Sequence, residues 1–171
     1  MREKVKTLTT DVKSFLSAFY DLEKIKPYCE ACGNYASFWS CPPFDFEPYK
    51  KLSAWNKVTL ISVRVDYEPI KRDLRRGLAE VKEKVEQLLL LAEMKHGGLA
   101  CGFSGFCSYC LECSRKNGDP CRFPEKVRPA LEAYGIDVNK VMEELLDIKL
   151  EWKGDNTVPR YLHLVGALFH N

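Results

Sequence analysis

The stretch "KVTLISVRVDYEPIKRDLRRGLAEVKEKVEQLLLLAEMKHGGLACGF", residues 57–103, decides how this chain folds. Its first part, "KVTLISVRV" at 57–65, is β-branched and mostly apolar, which reads as a largely buried strand. Helical spacing follows, opened by Pro69 in a first turn and carried by Ile70, Leu74, Leu78, Val81, Val85, Leu88 and Ala92. Gly97 and Gly98 stop that helix. The short apolar "GLACGF" at 98–103 then predicts a second strand, returning parallel to the first through a right-handed crossover.

Outward from this unit, Val12, Phe15, Leu16, Phe19 and Leu22 recur at helical spacing between Thr10 and Ile25, with Thr10 or Asp11 as N-cap. The aromatic, turn-rich "KPYCEACGNYASFWSCPPF" at 26–44 has no period and reads as an ordered loop. On the other side, "PEKVRPALEAYG" and "DVNKVMEELLDI" predict two short helices separated at Gly135, the second capped by Asp137 or Asn139. "IKLEW" at 148–152 and "YLHLVGALFH" at 161–170 predict two strands joined by the turn-forming "KGDNTVP". The expected fold is α/β: a single domain over residues 1–171, with a small mixed sheet, a βαβ crossover, packed helices and two cysteine-rich loops.

Twenty-six basic and 24 acidic residues interleave along the 171 positions, for a net charge of +2. Such a surface is solvated and mixed, without the basic stripe of a nucleic-acid binder. No apolar run approaches the roughly 18 residues of a membrane span, and "MREKVKTLTTDVKSF" lacks the apolar core of a signal peptide. A cytoplasmic location is expected. In a reducing compartment, eight cysteines point to metal binding or catalysis and away from disulfides.

Four of those cysteines, Cys107, Cys110, Cys113 and Cys121, follow C-x2-C-x2-C-x7-C. Three sulfurs spaced by two residues let a tightly turning backbone aim them at one centre. The repeat is that of bacterial ferredoxins holding a 4Fe-4S cluster, although here Pro120 precedes the last cysteine instead of following it. Zinc also takes four thiolates, but its ligands usually come as two separated C-x2-C pairs. Upstream, Cys29, Cys32 and Cys41 follow C-x2-C-x8-C, one thiolate short. Either Cys101 completes a second four-thiolate site, or the trio holds a cluster with one iron left open to water, substrate or a non-cysteine ligand. A third reading leaves Cys101 as a small buried hydrophobe.

The surroundings suit buried charged clusters. Arg115, Lys116, Arg122, Lys126 and Arg128 either balance cluster charge, greet an acidic redox partner, or form an ordinary solvated loop. Phe38, Trp39, Phe44 and Phe46 around Cys41, with Phe103, Phe106 and Tyr109 around the later group, exclude water. His96, His163 and His170 are scattered and read as core or edge histidines. Arg128 and Glu132, four apart, read as a surface ion pair on a helix, with Tyr134 and Gly135 shaping a turn. There is no nucleophile elbow and no dinucleotide fingerprint, so no catalytic residue is assigned.

"CEACGNYASFWSCPPF" and "GFCSYCLECSRKNGDPCRFPEKVRPALEAYGIDV" together resemble a prokaryotic family of predicted metal-binding proteins. The resemblance implies metal ligands at Cys29, Cys32, Cys41, Cys107, Cys110, Cys113 and Cys121, and implies no particular reaction. Cys101 falls outside that pattern, and Ala130 stands where the family carries a serine. The functional expectation is an iron-sulfur protein with one or two 4Fe-4S clusters, exchanging electrons with a redox partner protein. The alternatives are a redox or lyase-type enzyme whose open iron, held by Cys29, Cys32 and Cys41, takes a small-molecule substrate, and a zinc-stapled interaction module. Neither nucleic acid nor membrane is an expected partner.

Overall fold

Residues 57–66 bury both of their faces, which explains why their apolar residues do not alternate with polar ones. Val58 and Leu60 face one core cluster, with Phe15, Leu16, Tyr134, Met142 and Phe169; Val63 and Val65 face another, with Val81, Val85, Leu89 and Leu164. The computed structural model describes residues 4–151 and 158–171. Its elements are β1 (Lys4–Asp11), α1 (Val12–Phe19), α2 (Leu22–Glu30), α3 (Pro48–Ser53), β2 (Lys57–Asp66), α4 (Tyr67–Ile70), α5 (Leu74–His96), β3 (Leu99–Cys101), α6 (Val138–Leu146) and β4 (Tyr161–His170). Two 3-10 turns, Ser114–Asn117 and Glu132–Tyr134, lie between β3 and α6.

The α/β class and the packed helices hold, and the four strands run in the order β1-β2-β4-β3. Every described ladder is antiparallel. β2 and β3 do run parallel to each other, as the crossover requires, but β4 lies between them and pairs with both. The physical reason is β4 itself, whose six consecutive buried residues Leu164–Phe169 fit only a central position. Gly166 lets α5 sit close over it: an added Cβ would meet the Cys101 carbonyl at 2.9 Å and Leu89 at 3.1 Å. β1 was not expected, because "KVKTLTTD" carries no apolar run; as an edge strand it needs only one inward residue, Leu8.

Local signals explain the remaining boundaries. Asp11 caps α1 by accepting from Ser14 N at 2.8 Å, but the expected single helix breaks at Tyr20–Asp21, where Asp21 caps α2 instead. Tyr20 bridges to Ile136 there, and the Asp21 amide donates to the Gly135 carbonyl at 2.9 Å. Pro69 opens only the short α4; α5 starts afresh at its cap Asp73. Along α5 the inward residue is Leu89, 8% exposed, and not Leu88, 63% exposed. The run of four leucines hid that one-residue shift. "PEKVRPALEAYG" contracts to the second 3-10 turn, and Asp137 caps α6. Residues 148–151 form no strand, and Trp152 of the expected "IKLEW" strand lies outside the described residues.

No described helix is long and apolar enough to cross a membrane. The arrangement leaves one end of the sheet to the cysteines: β3 delivers the downstream loop, α2 delivers the upstream one, and the middle of α5 runs beside both.

Candidate metal centre

All eight cysteines are unpaired in the structure. The downstream loop turns back on itself at Gly118, whose φ of +77° is a left-handed conformation. Ser114 Oγ donates to the Pro120 carbonyl at 2.7 Å, and the Asp119 amide donates to the Ser114 carbonyl at 3.1 Å. The polar turn thereby brings Cys121 back to the repeat, and Cys107, Cys110, Cys113 and Cys121 line one small cavity of about 10 Å³. Phe38, Trp39, Tyr109 and Phe123 wall it, with Cys113 buried and Cys107, Cys110 and Cys121 partly exposed.

Cys29 sits in the last turn of α2, and Cys32 follows in a turn closed by its amide donating to the Cys29 carbonyl at 3.1 Å. The loop then reverses, with the Ala36 amide donating to the Pro42 carbonyl at 2.8 Å, and returns Cys41 beside them. The trio lines a second, far larger cavity of about 460 Å³. Cys107 lines both cavities, so the two cysteine groups share a wall. Gly102, where the chain leaves β3 for this region, has no room for a Cβ: it would stand 2.8 Å from the Arg128 carbonyl.

Arg115 ties the loops together. Its guanidinium donates to the Phe38 carbonyl at 2.7 Å and also to the carbonyls of Cys41 and Pro43. Trp39 answers from the upstream loop, its indole N–H donating to the Asp119 carbonyl at 3.0 Å while its ring lies under Arg115 at 5.0 Å. A five-donor planar cation suits such a clamp better than a lysine would. Arg115 was expected to balance charge or meet a partner, and its place is in the scaffold.

Burial holds the thiols of Cys29, Cys41 and Cys107 above the ordinary cysteine range; the Ser40 hydroxyl partly offsets this at Cys41. Metal-free, these sulfurs keep their protons at neutral pH, so loading a metal releases protons. Among the described residues no three His, Cys, Asp or Glu side chains are gathered so as to hold a metal ion.

Three polar groups line the large cavity; Lys82 and Glu86 were not singled out in the sequence, and Glu132 was read there as a surface partner of Arg128. Lys82 Nζ donates to the Phe106 carbonyl at 2.9 Å and stands 3.7 Å from Glu86. Both side chains are nearly buried, and burial pushes the Glu86 carboxyl up against the pull of Lys82. Glu132 reaches the same cavity, its Oε2 buried with no hydrogen-bond partner, and burial pushes its pKa up to about 7. In sequence Lys82 and Glu86 look like any i,i+4 surface pair, and the spacing of Glu132 from Arg128 pointed to an ion pair that the structure does not form.

Other candidates lie elsewhere. Cys101 is wholly buried in the core cluster with Phe169 and Tyr134, lines neither cavity, and has its thiol pushed up by burial. Arg128 pairs with Glu93 on α5 at 2.9 Å and not with Glu132. Asp137 is engaged by Lys24, and Tyr134 is a core residue under the stacked Phe44 and Phe46. Phe106 lies under Arg75 at 4.4 Å. His163 Nδ1 bonds Ser62 Oγ at 3.1 Å and His170 Nε2 bonds Thr59 Oγ1 at 3.0 Å, as structural histidines do; His96 ends α5 in solvent.

With this geometry in view, a family model described as "Predicted metal-binding protein (DUF2284)" matches residues 21–169, which include both cysteine loops. No curated protein and no solved structure matches the chain.

Proposed function

Because the chain belongs to this family of predicted metal-binding proteins (DUF2284), we propose that it is an iron-sulfur protein. Cys107, Cys110, Cys113 and Cys121 hold one 4Fe-4S centre, and Cys29, Cys32 and Cys41 hold a second. The observation that carries the reading is the convergence of the four downstream thiols on one aromatic-walled cavity.

The donor set fits such a group. A volume of about 10 Å³ admits a single water-sized sphere, yet bonded metal approaches sulfur to about 2.3 Å, well inside van der Waals contact. Zinc needs tetrahedral thiolates only about 3.8 Å apart by the same bond length.

An iron-sulfur centre supplies one-electron chemistry, tuned by charge and solvent exposure. The chain's own groups then have separate tasks. Phe38, Trp39, Tyr109 and Phe123 exclude water from the quartet. Cys107, on the common wall, places the two centres in reach of one another for electron exchange. Exposed Lys116, Arg122 and Lys126 offer an acidic redox partner its docking charge.

A second reading draws on the larger cavity. Three thiolates facing about 460 Å³ leave room for a small molecule at an iron the chain's cysteines do not fill. Anaerobic purification followed by iron, sulfide and zinc analysis tests both. Iron and sulfide in equal amounts, about eight of each per chain, is the expected result. A colourless protein carrying zinc ends the redox readings. A shift of the upstream electron paramagnetic resonance signal on adding small ligands moves the protein from carrier to enzyme.

A further inference from the structure

We propose that Glu132 is the fourth, non-thiolate ligand of the upstream centre, its carboxylate standing where a cysteine is missing. The inference rests on the reading that Cys29, Cys32 and Cys41 hold an iron-sulfur centre.

Glu132 lines the same cavity as those three thiols. Its Oε2 is buried and has no hydrogen-bond partner, the one such side-chain atom among the described residues. Buried polar atoms are nearly always paired, so an orphan carboxylate oxygen on a residue that lines a thiol-lined cavity marks a missing partner. The neighbouring groups do not supply one. Arg128, four residues away, is taken by Glu93, and Lys82 is taken by the Phe106 carbonyl and Glu86.

Glu132 is also held in place. It begins the 3-10 turn Glu132–Tyr134, whose next two residues, Ala133 and Tyr134, are buried. Cys29 lies against that turn, its Sγ donating to the Glu132 carbonyl at 4.0 Å. The other carboxylate of the cavity is less free, because Glu86 accepts the Phe103 amide and faces Lys82. Cys101, the remaining thiol, is turned into the core. A carboxylate is a harder donor than a thiolate and leaves its iron exchangeable, which suits a position that opens on a cavity.

Iron-57 loading of the whole chain under anaerobic conditions, read by Mössbauer spectroscopy and iron content, tests this. In the unaltered protein one iron of the upstream centre should differ in isomer shift from the other three. Glu132→Cys should erase that difference with iron content kept. Glu132→Ala and the isosteric Glu132→Gln should each lose about one iron per chain on mild oxidation while the unaltered protein keeps it. Spectra and iron content unchanged in all three variants overturn the proposal and leave Glu132 as an acid-base or structural group. A combined Cys29→Ser, Cys32→Ser and Cys41→Ser variant separates the two failures. If its iron content equals that of the unaltered protein, no upstream centre exists and the underlying reading falls with the inference.

Discussion

Cys107, Cys110, Cys113 and Cys121 close on about 10 Å³ behind aromatic rings, whereas Cys29, Cys32 and Cys41 open on about 460 Å³ lined by Lys82, Glu86 and Glu132. One loop sets four thiols around a narrow space and buries one of them, Cys113. The other brings three donors and leaves the remaining side to space and carboxylates. On the proposed two-centre reading, the contrast separates storage from access: the number of thiolates delivered by the backbone sets how much of a centre stays reachable.

The largest expected effect comes from removing one sulfur at a time from each side. Cys113→Ser and Cys41→Ser should each lower iron and sulfide by about half, and each should leave the other centre's electron paramagnetic resonance signal in place. Loss of both signals from either change breaks the division into two centres. Arg115→Ala comes next, because it removes charge-assisted hydrogen bonds to three carbonyls. A cost of about 3 kcal/mol, or a fall of roughly 8 °C in Tm, is expected, with faster hydrogen exchange in both loops. Protection lost from the downstream loop alone means the clamp does not act across the wall. The smallest effect belongs to Cys101→Ala, which should leave iron per chain unchanged and cost about 1 kcal/mol in a denaturant titration. Iron lost in step with this change restores Cys101 as a ligand.

The quartet was legible because its ligands are local: two-residue spacing and a polar turn specify convergence without help from distant chain. The capping aspartates Asp11 and Asp137 were legible for the same reason, each bonding an amide three residues on. The β2-α5-β3 unit could be read from its periods, but not the place of β4 between its strands, since strand order depends on which segment buries most. β1 left no trace because an edge strand borrows its stability from its neighbour's ladder. Lys82 and Glu86 were hidden more deeply, as was the place of Glu132 beside them. Their roles arise where α5, the 3-10 turn at 132–134 and the upstream loop meet, and no window of sequence contains all three.

The Arg115 clamp bears on how the protein matures. A residue rooted in one loop fixes the carbonyl of Cys41 in the other, so ordering either segment lowers the conformational entropy still to be lost by its neighbour. If both loops hold a centre as proposed, whichever is assembled first should stiffen the mould for the one that follows, and half-filled chains should be scarce at intermediate iron supply.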